Sequence, residues 1–591
     1  MRAARHMATV LRPFRAYLTL AIGCALAGAL LELAPPLLLR RIVDDHLARR
    51  QAAGLSLLAF WYLVATAGIQ VAGLGAAYLL AITAQGSLHS LRIRLLAHLQ
   101  RLPVAYYDRA PVGDTIARAT ADVEAVDALF SSGVAGLATD GLRLGSIAAA
   151  MTILSPALAA LSALLIPPLA FLTRLFQLRV RAAEATHRRA IGDLNAHLQE
   201  ALSGNEMVRA FGREEYFAAR FRRILDSVLA AFDETVVYSA LYSPLMQLLV
   251  ALCSAALLWG YAGNVFAASS ITVGTLAAFV LLFQRFFKPL IALGDEWQSV
   301  QGAITGAERI FEVLAVPEEE VSYRPHSRAS ADGGIRMSGV SFGYLPRAPI
   351  LRDLSLWADP GEHVALVGRT GAGKTSALHL AAGLYAPWAG SVRVGGIDPR
   401  ALPVEERRRT IGVVPQMVQL FAGTVRDNLT LGDASVPPEA IERACALAGA
   451  SDFIRSLPLQ FQTLLRGLGG GHGVQLSAGQ RQLIALARAL LWEPRVLLLD
   501  EATAAVDGAS DAAFRAGLRR GALARGCAVL SVAHRLATAR DADRIAVIDH
   551  GRVVEIGSPA VLVANRGLFA AWMDLETAGW EWESSRNGAI F

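Results

Sequence analysis

A strand-like run, His363-Val364-Ala365-Leu366-Val367, leads straight into Gly368-Arg369-Thr370-Gly371-Ala372-Gly373-Lys374-Thr375, and a helix-compatible run continues from Ser376. Glycines at these positions let the backbone curl into a ring of N–H donors, and a helix start behind it adds partial positive charge. Such a turn holds phosphates. Lys374 would bring a full charge to the β- and γ-phosphates, and the Thr375 hydroxyl could ligate Mg²⁺. The competing reading, an accidental glycine turn, is disfavoured by the strand before it and the helix after it. Further on, Val496-Leu497-Leu498-Leu499 reads as a buried strand ending in Asp500-Glu501. Asp500 could hold Mg²⁺ through its water shell. Glu501, pointing elsewhere, could orient the attacking water as general base. Alone, an apolar run ending in acids is a weak signal; beside a phosphate loop it becomes a strong one.

These residues need a scaffold, and from about Gly334 to Glu576 short β-branched strands alternate with helices and Gly/Pro turns, the pattern of an α/β domain. The N-terminal half differs in composition. The 591 residues are 54% hydrophobic and 18% charged, with a mean hydropathy of +0.41, which points to membrane spans. Six apolar stretches are long enough, near Tyr17–Leu39, Leu55–Ile82, Ser132–Leu154, Ala157–Leu178, Tyr238–Phe266 and Val273–Leu293. Ser155-Pro156 between the third and fourth reads as a tight outer hairpin. Two long connections carry Arg92, Arg94, Arg101, Arg109 and Arg118, then Arg181, Arg188, Arg189, Arg209 and Arg213. The positive-inside rule puts both, and the two termini, in the cytoplasm. The first outer loop disobeys, with Arg40, Arg41, Arg49 and Arg50 against Asp44 and Asp45.

The basic N-terminus is read as a cytoplasmic anchor rather than a transit sequence, because the following apolar stretch is too long for a signal peptide. The net charge of +6 is spread along the chain with no concentrated basic face, so nucleic acid is not an expected partner. Cys24, Cys253, Cys445 and Cys527 are far apart, and neither a metal cluster nor a disulfide framework is expected of them.

Between the two phosphate-site motifs lies Leu476-Ser477-Ala478-Gly479-Gln480. Here the chain resembles the ATP-binding cassette (ABC) family, whose signature is LSGGQ, with Ala478 replacing a glycine. Other family motifs occur in order. Tyr344 matches the aromatic that stacks on adenine, Gln416 the γ-phosphate-sensing glutamine that also touches Mg²⁺ and the membrane half, Asp507 the aspartate that communicates across a dimer, and His534 the switch histidine. The resemblance implies that Glu501, His534, Lys374 and Gln416 are catalytic. It implies that Tyr344, Gly368 through Ser376, Ser477, Gly479, Gln480 and Asp507 contact ATP, and that Thr375, Gln416 and Asp500 serve Mg²⁺. Six spans followed by one cassette is the layout of half-size exporters. Residues 1–316 are therefore expected to form an all-α membrane domain with cytoplasmic coupling helices near 106–116 and 207–215. A linker at 317–333, a P-loop NTPase cassette at 334–577 and a tail at 578–591 complete the expectation.

In this family the signature of one cassette closes over ATP held by another, so a second half-transporter is the implied partner. Ala478, and the absence of an acidic residue in Leu468-Gly469-Gly470-Gly471-His472-Gly473, resemble the competent half of a heterodimer. A homodimer that tolerates alanine is the alternative. The resemblance implies an exporter of amphipathic drugs or lipids in a bacterial inner membrane, with flippase and exporter-fold importer as alternatives. Glu32, Gln247, Gln284 and Arg285 fall in or near spans, and such groups usually face a cavity; for Arg285, snorkelling to the interface or a structural pair is an equal alternative.

Overall fold

The computed structural model describes residues 10–128, 134–262, 271–319, 333–467, 472–500, 508–533 and 536–577. Glu501, Asp507 and His534, most of the expected linker and the expected tail lie outside the described residues. The chain forms two compact units: Met1–Gln100 with Val112–Val316, and Arg101–Pro111 with Pro317–Phe591.

The helices of the N-terminal part are α1 (Arg15–Leu31), α2 (Ala34–Arg41), α3 (Leu55–Leu99), α4 (Val104–Arg109), α5 (Val112–Ala119), α6 (Ala121–Ala128), α7 (Val134–Leu154), α8 (Pro156–Ser203), α9 (Asn205–Ala210), α10 (Glu214–Ala262) and α11 (Val273–Leu314). All but α4 belong to the first unit. Among the described residues, four helical stretches are long and apolar enough to cross a membrane: Arg12–Leu47, Leu55–Leu99, Gly136–Leu154 and Pro244–Tyr261. Val273–Phe287 is a shorter apolar helix. With α8, these give six long rods among the described residues. The 45 residues of α3 and the 48 of α8 far exceed the roughly 20 needed to span hydrocarbon, so each helix continues well past its apolar stretch.

The turn expected at Ser155-Pro156 is present. The Ser155 side chain accepts from Leu158 N at 3.4 Å and Pro156 opens α8, where a missing N–H costs nothing. The first rod is broken between α1 and α2. Pro35 and Pro36 carry no N–H, so the carbonyls of Leu31 and Glu32 lose their helical donors. Two arginines of the first outer loop, Arg40 and Arg41, lie in helix that continues to Leu47, and Arg49 and Arg50 lie beyond it. Asp44 pairs with Arg40 at 3.7 Å and caps α11, accepting from Gly274 N at 2.8 Å and the Thr272 hydroxyl at 2.5 Å.

The second unit is built on a six-stranded sheet. Its strands are β3 (His363–Gly368), β5 (Ile411–Val414), β8 (Val496–Asp500), β9 (Ala528–Val532), β10 (Arg544–Asp549) and β11 (Arg552–Gly557), in the order β11-β10-β3-β9-β8-β5. All neighbours are parallel except the β10–β11 hairpin. Every residue of β3 is buried, as a strand covered on both faces requires. An antiparallel sheet in the order β2-β1-β4 lies alongside, from β1 (Ile335–Phe342), β2 (Leu351–Ala358) and β4 (Ala389–Val394). A two-stranded ribbon joins β6 (Gly423–Thr424) to β7 (Leu464–Leu465). Three further helices matter for the site: α12 (Lys374–Ala381), α13 (Ala478–Leu490) and α14 (Gly508–Gly517). One apolar cluster joins the antiparallel sheet, β3 and α12, and a second gathers α13 with the helices around it.

Candidate nucleotide site

Parallel register aligns the chemistry. Leu366 of β3 pairs with Val532 of β9, and Val532 with Asp500 of β8, while Val414 of β5 pairs with Leu499. The carboxyl ends of four neighbouring strands therefore meet along one edge, where open α/β sheets place ligands. From that edge the sequence continues into Gly368–Gly373, Ala533-His534, Glu501 and Pro415-Gln416.

The loop after β3 folds as its glycines allow. Gly371 and Gly373 have φ of +83° and +104°, and a Cβ at Gly373 would come within 2.5 Å of Leu351 Cδ2. Glycine is therefore required at 373 by both backbone and space. Gly373 caps α12, so the loop's N–H groups and the helix start converge. Arg369, Thr370 and Gly371 are exposed, whereas Ala372, Lys374 and Ser376 are buried. Lys374 Nζ donates to the carbonyls of Gly368 at 2.7 Å and Arg369 at 3.1 Å, which holds the ammonium over the loop. The Thr375 hydroxyl donates to Asp500 Oδ1 at 3.1 Å. Two hard oxygen donors thus sit side by side, a donor set that suits Mg²⁺. Gln416, just past β5, is exposed.

Tyr344 follows β1. Its hydroxyl lies 3.2 Å from Ser376 Oγ and 3.2 Å from His379 Nδ1, on the same helix as Lys374. Burial raises the Tyr344 phenol above its ordinary range and lowers the His379 imidazole. Phe342 and Tyr385 pack edge-on against the tyrosine, at 5.1 and 5.2 Å, and Trp388 lies against Phe342. The Tyr385 hydroxyl makes a short hydrogen bond to Asp108 of α4, and Val104 and Ala105 pack on the same cluster. The helix near 106–116 thus divides: α4 folds with the sheets and α5 with the long helices.

The chain matches two families in sequence, the ABC transporter transmembrane region over residues 18–290 and the ABC transporter family over residues 351–504. It is 34% identical over 494 residues to the Fatty acid ABC transporter ATP-binding/permease protein of Mycobacterium bovis, covering 83% of this chain and 77% of that one. It is 30% identical over 576 residues to the ATP-dependent lipid A-core flippase of Chromohalobacter salexigens, covering 97% of each. The structure of a bacterial Atm1-family ABC exporter with ATP bound superposes with a TM-score of 0.76 at 25% identity, covering 95% of this chain and 98% of that one.

The chain belongs to the ABC transporter family.

It is an integral membrane exporter subunit whose cassette binds nucleotide and couples ATP hydrolysis to transport. In this exporter the signature segment lies at the start of α13. Ser477 and Gln480 form a reciprocal cap: Ser477 Oγ accepts from Gln480 N at 3.2 Å, and Gln480 Oε1 from Ser477 N at 3.0 Å. Ser477 is exposed and Gly479 buried. Ala478 takes the first helical position, so its methyl imposes no backbone strain.

Residues not singled out from sequence complete the site's frame. Arg488 of α13 donates to Asn428 O at 2.7 Å and to Gln419 O at 3.3 Å, tying the signature helix to the segment after Gln416. Its only sequence signal is a basic residue on an otherwise buried helix. His363, at the start of β3, is buried and hydrogen-bonded to Ser531 Oγ at 2.8 Å. Tyr385 carried no motif of its own. The four cysteines are free thiols; burial pushes those of Cys445 and Cys527 up to about 12. No cluster of metal-binding side chains occurs among the described residues.

Proposed function

We propose that the exporter moves amphipathic small molecules, lipids or drug-like compounds, across a bacterial inner membrane, with its cassette in the cytoplasm. The membrane domain is assigned to 1–316, the linker to 317–333, the cassette to 334–577 and the tail to 578–591. The observation that carries the reading is the shared strand edge, where Lys374, Thr375 and Asp500 meet. Glu501 acts as general base, with Lys374, Gln416 and His534 as the other catalytic groups. ATP contacts Tyr344, Gly368 through Ser376, Ser477, Gly479, Gln480 and Asp507. Thr375, Gln416 and Asp500 hold Mg²⁺, whose charge offsets that of the phosphates when bound.

The chain pairs with a second half-transporter. A partner different from itself is favoured, because Ala478 puts a methyl group where a facing phosphate must approach closely, while its own phosphate loop keeps the groups needed for hydrolysis. Two relatives, one a transporter of fatty acids and one a flippase of lipid A-core, support an amphipathic cargo.

Glu501→Gln tests the chemistry. Steady-state hydrolysis should vanish while ATP binding persists, and retained turnover would refute the role of Glu501. The pairing is tested by expressing this chain alone, where robust ATPase activity would exclude an obligate unlike partner.

A further inference from the structure

A stacking platform works only if its ring is held at a fixed angle, and several layers of structure hold Tyr344. Its backbone is fixed first. Ile350 N donates to Phe342 O at 2.7 Å and Ala348 N to Leu345 O at 3.1 Å, and a Cβ on Gly343 would run into the Ala348 carbonyl. Phe342 and Tyr385 then meet the ring at interplanar angles of 80° and 86°. Two such edge contacts fix the rotation of a tyrosine ring about its long axis. The tilt of that axis is left to whatever grips the hydroxyl.

The grip comes from α12. Ser376 and His379 stand three residues apart and so share one face of that helix. Ser376 Oγ and His379 Nδ1 each lie 3.2 Å from the Tyr344 oxygen. Burial raises the phenol and lowers the imidazole, so the first keeps its proton and the second stays neutral. A phenol donates once and still accepts, so it can bond to both partners together. His379 is backed in turn by Tyr385, whose ring lies 5.8 Å away and inclined by 30°, and whose hydroxyl is bonded to Asp108. The imidazole is thus wedged between two tyrosines, and no role in holding or cleaving the phosphates has been given to it.

We propose that His379 is a positioning residue for the base of ATP: through the Tyr344 hydroxyl it sets the tilt of the ring on which the base stacks. The effect is selective. The groups that hold the triphosphate lie in the loop and the first turn of α12, one turn before His379. Loss of the imidazole therefore weakens recognition of the base and spares that of the phosphates. This rests on the proposed contact of Tyr344 with ATP and names the side chain that tunes it.

The experiment uses the full chain, in the assembly in which it purifies, reconstituted in nanodiscs. Dissociation constants are measured by competition with a fluorescent ATP analogue, for ATP and for inorganic triphosphate, which has no base. His379→Leu should weaken ATP about fivefold, the worth of one neutral hydrogen bond, and leave inorganic triphosphate unchanged. The KM for ATP should rise by the same factor with kcat kept. Asparagine carries its amide at the level of Nδ1 and glutamine one bond further out, so His379→Asn should restore ATP affinity and His379→Gln should not. In a Tyr344→Phe background, His379→Leu should have no further effect, because the hydroxyl it acts through is gone. Equal losses for ATP and inorganic triphosphate would mean that the histidine merely keeps α12 folded, and would overturn the proposal. Unchanged ATP affinity in His379→Leu would overturn it too. Should the leucine variant not purify, the other pair decides: equal ATP affinity in His379→Asn and His379→Gln sinks the idea. If Tyr344→Ala itself leaves ATP affinity intact, the contact of Tyr344 with the base fails; if that variant binds weakly while His379→Leu does not, only this inference fails.

Discussion

His363 occupies the first position of β3, the strand that delivers the phosphate loop. Burial holds its imidazole down to about 4 from an ordinary 6.5, against the opposing pull of Asp543 and Asp541. In the folded cassette the ring stays neutral and shares a hydrogen bond with Ser531; in the unfolded chain it titrates normally. Between pH 6.5 and 4 the unfolded state therefore binds more protons. Stability from this group is complete above 6.5 and is lost as pH falls towards 4. Linkage puts the loss near 2 kcal/mol at pH 5. For a domain of about 240 residues that is roughly 4–8 °C in thermal midpoint. Other groups titrate over the same range, so the informative quantity is the difference from His363→Asn, whose amide can still bond to Ser531 but does not titrate. Thermal unfolding of both proteins from pH 7.5 to 5 should show the wild type losing about that much more than the variant. Parallel profiles would show that His363 is not held neutral by the fold, and the argument from burial would be wrong.

Three further outcomes are expected. Gly373→Ala forces an alanine into φ of +104° with its Cβ 2.5 Å from Leu351 Cδ2; strain of about 1–3 kcal/mol should cut nucleotide affinity at least several-fold, read with a fluorescent ATP analogue. Lys374→Ala should likewise weaken nucleotide binding, and an unchanged dissociation constant would count against Lys374 as the phosphate contact. Tyr385→Phe removes the donor to Asp108 while keeping the ring, so hydrogen exchange across residues 101–111 should rise, with the KM for ATP changed less than twofold. Unaltered exchange there would mean that the hydroxyl contributes nothing to holding α4.

The phosphate loop was readable because its glycines, lysine and threonine fall in one short run whose backbone demands are local. Asp500 was readable for the same reason, as the end of a five-residue buried strand. The apolar rods announced themselves by length, and the Ser155-Pro156 hairpin by a capping serine followed by proline. What escaped depends on contacts distant in sequence. Tyr385 meets Asp108 across 277 positions, and Arg285 reaches Glu32 across 253. No periodicity encodes either pairing. The break at Pro35-Pro36 was visible as two residues, but the side chain that repairs it was not. His363 looked like an ordinary strand residue, since its perturbation comes from layers packed above and below it.

The segment Arg101–Pro111 is synthesised more than two hundred residues ahead of the sheets it joins, yet Val104 and Ala105 pack on their core and the Arg101 carbonyl accepts from Glu319 N at 2.9 Å. A fragment beginning at Pro317 would consequently be born with a bare apolar scar and a tyrosine hydroxyl without its carboxylate. During translation the ribosome must deliver several membrane helices while this short stretch waits for its partner to emerge. A chain truncated before those sheets therefore ends with this stretch still lacking the core it packs on.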